Sequence, residues 1–160
     1  MPTRRRTPHR AHHQPRRHIA SAMPAVRTPM RSLEQALTHV ALVLDQPLAH
    51  ETAALFVDVL YQPLLCVVVE GTAHPDDVLG IADLAAVVGE EAEATHVVLV
   101  TSRPGGGFEG ADVQRWFALD HLTDAAGVEL LEWFVCNEQL QVAVSALAGE
   151  PSRWPDDEPV

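Results

Sequence analysis

The sequence predicts an α/β (α+β) domain, a mixed β-sheet with packed helices in the order α-β-β-α-β-α-β-β. Three observations predict it. The chain has 160 residues, 47% of them apolar, which is the size and composition of one globular domain. Runs such as Leu64, Leu65, Cys66, Val67, Val68 and Val69 are apolar without alternation, as strands covered on both faces are. Between these runs lie segments whose apolar residues recur every three or four positions, the helical period.

The first helix is predicted to start at Ser32, which has capping-box spacing with Gln35; Leu33, Leu37, Val40, Ala41 and Leu44 follow on one face, and Pro47 lies past its end. A strand over 52–59, a turn at 61–63 and a strand over 64–70 come next. Pro75 suits a first helical position, and Asp76 and Asp77 suit the positive end of that helix. Val78, Ile81, Leu84, Ala85 and Val88 form its buried stripe, with Gly89 as the predicted stop. His96 opens a strand that runs to Thr101. A Gly-rich loop over 102–110 leads into a helix near 111–126, with Val113, Trp116, Leu119 and Ala126 on one face. Strands over 128–136 and 140–146 close the fold as a hairpin around 137–139. In the last one Leu140, Val142, Val144 and Ala146 alternate with Gln141, Ala143 and Ser145, the pattern of a half-exposed edge.

Charge divides the chain. Residues 1–31 hold eight arginines (Arg4, Arg5, Arg6, Arg10, Arg16, Arg17, Arg27, Arg31) and no acid, while the remainder holds three arginines against 22 acids, 3 − 22 = −19. Residues 1–30 are therefore predicted as a disordered basic tail, dispensable for folding, residues 31–148 as the single domain, and 149–160 as a loose acidic end. A basic arm touching nucleic acid or the acidic body, and an Arg-rich transit segment, are the other readings of the tail. A body this acidic repels phosphate backbones, so nucleic acid is not expected to bind it, only the tail. The longest apolar run, 64–69, is too short to span a bilayer, so no membrane partner is expected. The arginine-rich start continues with His12, His13 and Gln14, which does not make a secretory signal. Cys66 and Cys136 each lie in apolar runs and are predicted as buried free thiols in a cytoplasmic protein.

One loop has the geometry of an anion site: strand, glycines, helix start. Thr101, Ser102, Arg103, Pro104, Gly105, Gly106 and Gly107 offer glycines, an arginine and two hydroxyls. They match neither Gly-x-x-x-x-Gly-Lys-Ser/Thr nor Gly-x-Gly-x-x-Gly, and Glu109 and Asp112 would repel a phosphate at that helix start. A structural turn is the simpler reading. His39, His50, His74, His96 and His121 form no His-x-His or His-x-x-x-His pair, and Ser102 lacks the Gly-x-Ser-x-Gly of a nucleophile elbow. Trp116, Trp133 and Phe134 read as packing.

Three features occur in order: Gly71-Thr72 followed by Pro75-Asp76-Asp77-Val78; Arg103-Pro104-Gly105-Gly106 after a buried strand; and Asp112 opening a helix that leads to Gly127-Val128-Glu129-Leu130-Leu131. In order and spacing they resemble the JAB/MPN metalloprotease-type domain, particularly its RadC branch, over about residues 50–147. That family has Gly-Thr ahead of its first core helix, His-x-His-Pro-Ser-Gly after the next buried strand, then Ser-x-x-Asp and Gly-Ile-x-Leu-Leu. The resemblance implies a cytidine-deaminase-like sandwich. It places the two family histidines at Thr101 and Arg103, neither an ordinary zinc ligand, and the third ligand at Asp112. Pro104 and Gly106 persist, Gly105 stands for the motif serine, and Glu109 stands where the second serine would be. Glu51 or Glu70 matches the upstream acid–base glutamate. The resemblance thus implies a degenerate member with no zinc or other cofactor and no catalysis, a binding or scaffold module for a protein partner, in which Arg103 pairs with Asp112 where the metal would lie. Two readings compete: a hydrolase with a non-metal or reconstituted site around Ser102, Arg103 and Asp112, and an accessory factor in DNA repair, the traditional association of the RadC family.

Overall fold

A computed structural model describes residues 17–18 and 28–155. The elements are β1 (Arg17–His18), α1 (Leu33–Ala41), β2 (Glu51–Val57), β3 (Pro63–Glu70), a 3-10 helix (Pro75–Gly80), α2 (Ile81–Ala92), β4 (His96–Ser102), α3 (Asp112–Ala125), β5 (Glu129–Cys136), β6 (Gln141–Ala143) and α4 (Val144–Ala148). The strands form one mixed sheet in the order β1-β3-β2-β4-β5-β6. Among the described strands only β4 and β5 pair in parallel; every other neighbouring pair is antiparallel. It follows that β3, β4 and β5 point the same way, and that Glu70, Ser102 and Cys136 end at one edge of the sheet, where Glu51 begins β2.

The unalternated apolar runs behave as a doubly covered sheet requires. All of β2 is buried, as are β4 after His96 and β5 after Glu129. On one face Ala54, Phe56, Val67, Val97, Leu99, Trp133 and Val135 pack against Ile81, Ala85 and Val88 of α2, Trp116 and Leu119 of α3, and Val144 of α4. On the other, Ala53, Leu55, Val57, Cys66, Val98 and Val100 pack against Ala36 and Val40 of α1, with Met30 and Trp154. Burying a side chain of this size contributes about 1.5–3 kcal/mol.

Several expectations are corrected. The tail expected to be disordered over 1–30 contributes β1, which pairs antiparallel with β3 (Arg17 opposite Val69, His18 opposite Val68), and Met30, which is buried and donates its N–H to Tyr61 O at 2.9 Å. The rest of the tail lies outside the described residues. The C-terminal segment expected to be loose packs as far as Trp154, since Trp154 is buried against Tyr61 and Arg153 pairs with Asp120 while lying over the Trp116 ring. Gly89 does not end its helix; α2 runs on to Ala92 and stops at Glu93, in the left-handed conformation (φ 57°). The glycine answers a packing need instead, because a Cβ there would lie 2.8 Å from Val128 Cγ2. The predicted strand 140–146 is cut to Gln141–Ala143 and turns into α4. The cause is a buried acid: the Glu132 carboxylate accepts from Ser145 N–H (3.2 Å) and from the Ser145 hydroxyl, and so pulls the chain into a helical turn.

At Ser32 the capping is half as expected. The hydroxyl accepts from Gln35 N–H at 3.3 Å, whereas the Gln35 side chain reaches back to Arg31 N–H rather than to Ser32. Pro75 does open a helix, capped by His74, but its first turn is 3-10. Among the described residues no helix is long and apolar enough to cross a membrane.

Candidate functional site

Where β4 ends, its alternation puts Thr101 and Arg103 on the α2/α3 face and Ser102 on the α1 face. The first helical turn of α3 brings Asp112 back over the strand end. The position, beyond the carboxyl ends of parallel strands, is where open α/β sheets commonly hold ligands.

Arg103 and Asp112 meet there as a buried bidentate pair, Nη1 to Oδ2 at 2.7 Å and Nη2 to Oδ1 at 3.0 Å, with 5% and 0% of the residues exposed. Arg103 also donates to Gly107 O at 3.2 Å and lies 5.9 Å over the Trp133 ring. Asp112 accepts two further donors, Glu109 N–H at 2.7 Å on Oδ2 and Arg115 Nη1 at 2.9 Å on Oδ1. Each oxygen thus takes two hydrogen bonds, which fills the four lone-pair positions of a carboxylate. Burial alone would raise the Asp112 pKa; the Arg103 hydrogen bonds, the Glu109 N–H and the arginine charges outweigh it and hold the carboxyl below its ordinary value. Arg115 extends the network to Asp76 at 2.6 Å and Glu109 at 3.4 Å, tying the start of the 3-10 helix to α3.

Thr101 stands at one end of a buried hydroxyl chain. Trp133 Nε1 donates to Thr101 Oγ1 at 2.9 Å, Thr101 and Thr52 are 3.1 Å apart, and Thr52 donates to Thr72 at 3.1 Å. Since Thr52 has a single proton, given to Thr72, Thr101 is the donor to Thr52. Trp133 therefore carries both halves of the site, its nitrogen on Thr101 and its ring beneath Arg103.

The glycine loop is pinned by the β5–β6 turn. Asn137 Nδ2 donates to Gly106 O, and a Cβ at Gly107 (φ +145°) would come 3.0 Å from Asn137 Nδ2. Gly105 N–H (φ +68°) is taken by the Glu138 carboxylate at 3.2 Å. The backbone donors an anion would use are already held by the chain's own carboxylates, Glu138 on Gly105 and Asp112 on Glu109. This is a structural turn. Pro104 and Gly106 close it through Gly106 N–H to Arg103 O at 3.0 Å.

Two candidates lie elsewhere. Glu51 and Glu70, opposite each other in the β2–β3 register, share the α1 face, so neither reaches Asp112 as an acid–base group. Ser102 also points there, away from Asp112 and Arg103, which breaks up the triad the hydrolase reading needs. On that face Glu51, Ser102 and Cys136 form one row across β2, β4 and β5. Glu51 is 1% exposed, accepts from Asp45 N–H at 2.7 Å, and is pushed up in pKa by burial. Ser102 Oγ makes no hydrogen bond of ordinary geometry among the described residues and is left with a weak interaction with the Cys136 thiol. Burial raises the Cys136 thiol and pushes Cys66 up to about 12, so both are poor nucleophiles. Among the described residues no group of three or more His, Cys, Asp or Glu is placed to hold a metal ion.

Sequence reasoning missed Arg115, Thr52, Thr72 and Trp133 as site residues. Arg115 was detectable, three residues after Asp112 on one helix; the threonine row depends on strand register. A cleft of about 400 Å³ between Phe117, Asp120, His121, Asp124, Glu129 and Arg153 lies at the opposite end of the sheet. No family model matches the chain, and no curated protein matches it in sequence.

Proposed function

We propose that this domain is a non-catalytic binding or scaffold module, a degenerate relative of the JAB/MPN domains of the RadC branch, in which an arginine has taken the place of the metal. The observation that carries this reading is the buried Arg103–Asp112 pair. At the position the resemblance gives to a zinc ligand, a fixed positive charge already neutralises the carboxylate, and all four of its acceptor sites are used. A divalent ion would have to displace Arg103 and meet its charge; a single like charge at about 4 Å costs roughly 4 kcal/mol at an effective dielectric of 20, and a double charge twice that. Thr101, at the other aligned ligand position, is engaged with Trp133 and Thr52. Both free cysteines are buried, which fits a reducing, cytoplasmic setting.

Elemental analysis after gel filtration tests the first half: well under one zinc per chain is expected, and near one zinc returns the metalloenzyme to first place. Restoring the ligands tests the resemblance itself. Thr101→His combined with Arg103→His should create, with Asp112, the three protein ligands and open position of a catalytic zinc site. A folded double variant with no gain in zinc affinity over the parent would remove the support the resemblance lends.

A further inference from the structure

We infer that the seat now filled by Arg153 is a docking site for an arginine-bearing segment of a basic partner protein, and that Arg153 is its resident competitor. This goes beyond the module proposed above and stands on other residues, at the end of the sheet opposite Asp112. Three groups from separate elements make the seat. The Asp120 carboxylate of α3 takes both terminal nitrogens of Arg153, Nη1 on Oδ1 and Nη2 on Oδ2, the latter at 3.0 Å. Leu130 O of β5 accepts from Nη1 at 3.3 Å, and the guanidinium carbon lies over the Trp116 ring, 5.7 Å from its centre. A forked carboxylate, a carbonyl and an aromatic face together suit a planar guanidinium, and suit an ammonium poorly.

Two observations say that this occupant can be replaced. Arg153 belongs to a surface strap with no helix or strand, in which Pro151, Ser152 and Pro155 are exposed while Arg153 and Trp154 serve as anchors. Trp154 docks against Tyr61 at a cost, because its indole N–H is buried with no hydrogen-bond partner among the described residues. The surroundings say what would replace it. Arg153 feels the carboxylates of Glu129 and Glu150 as well as Asp120. Asp124 lines the cleft of about 400 Å³ beside it, together with His121 and the half-exposed ring of Phe117. Four acids against one arginine leave this end of the molecule negative even with the seat filled. The other two arginines of the acidic body are both held by Asp112 at the far end. Such a cleft draws a basic protein segment, has room for the residues that flank its arginine, and repels nucleic acid.

An NMR titration of the full-length protein at about 0.15 M salt tests the inference. The probe is N-acetyl-arginine amide, the control N-acetyl-lysine amide, and the reporter the Trp116 indole N–H. A tethered competitor acts at an effective concentration on the order of millimolar, so Arg153→Ala should bind the arginine probe at least about tenfold more tightly than the parent. Trp154→Ala, which keeps Arg153 but removes the second anchor of the strap, should also bind more tightly than the parent. Adding Asp120→Asn to Arg153→Ala should abolish the gain, and the lysine probe should bind Arg153→Ala about tenfold more weakly than the arginine probe. Parent-like affinity in Arg153→Ala or in Trp154→Ala, equal binding of the two probes, or binding that survives Asp120→Asn would each overturn the inference. Should Arg153→Ala or Trp154→Ala fail to fold, Arg153→Lys or Trp154→Leu replaces it under the same outcomes. If the replacement fails to fold as well, the strap is an indispensable part of the fold and the inference is overturned. None of these variants touches Arg103 or Asp112, so the result is independent of the zinc measurement.

Discussion

Two adjacent residues, Ser102 and Arg103, end on opposite faces of one sheet and in opposite chemical conditions. On the α3 side Arg103, Asp112 and Arg115 form an ionic cluster in which every carboxylate lone pair is used. On the α1 side Glu51, Ser102 and Cys136 form a row with a buried acid held by a backbone donor from Asp45 and a hydroxyl that makes no hydrogen bond of ordinary geometry among the described residues. The same burial acts on both. What differs is the surroundings: Asp112 has four donors and the arginine charge, whereas Glu51 has one backbone donor and the carboxylates of Asp45 and Glu70 nearby, so Asp112 is held below its ordinary pKa while Glu51 is raised. Burial does not by itself make an acid stable or unstable in its charged form.

The largest expected effect comes from breaking the compensated side. Arg103→Ala leaves Asp112 buried with Arg115 and Glu109 N–H alone; loss of one partner of a buried pair costs about 3–5 kcal/mol, with the lower end expected because Arg115 remains. Arg103→Lys should recover only part of this, since an ammonium cannot form the two parallel bonds of the guanidinium. Urea denaturation of the three proteins checks the order; an Arg103→Ala variant as stable as the parent would mean the pair contributes nothing.

The uncompensated side should respond in the other direction. Glu51→Gln keeps the acceptor for Asp45 N–H and removes the charge, so the variant should be more stable than the parent at pH 7. The sign follows from the raised pKa. The destabilisation from Glu51 is absent below the unfolded value of about 4.3, grows as pH rises towards the folded one and is constant above it, so the advantage of the variant should vanish in acid. For Asp112 the sign is reversed: its contribution is present above the unfolded value of about 3.9 and is lost as pH falls through the depressed folded one. Thermal melts from pH 3 to 8 separate the two, and a pH-independent difference between Glu51→Gln and parent would contradict this account. The smallest effect belongs to Ser102→Ala, which removes a buried hydroxyl that makes no hydrogen bond of ordinary geometry among the described residues and should be neutral or stabilising by up to about 1 kcal/mol, whereas Thr101→Ala, cutting the Trp133–Thr101–Thr52 chain, should destabilise by about 1–3 kcal/mol. Equal losses in both would erase the distinction between the two faces.

Periodicity and cap chemistry alone placed the first helix at Ser32, the buried strands within 52–70 and over 96–101, and the helix behind the glycine loop. These are local properties, set by residues within a turn or two of one another. Tertiary structure decided the rest. Whether Glu51 and Glu70 could serve the Asp112 side depended on pairing parity, since a one-residue change of register moves every side chain of a strand to the other face. Gly89 looked like a helix stop until Val128 was packed against it, and 144–146 looked like strand until Glu132, buried a dozen residues earlier, drew Ser145 into a helical turn. Each of these outcomes is set by a contact distant in the chain, whose energy, on the order of 1–3 kcal/mol for a buried polar group gained or lost, exceeds the few tenths that separate local propensities.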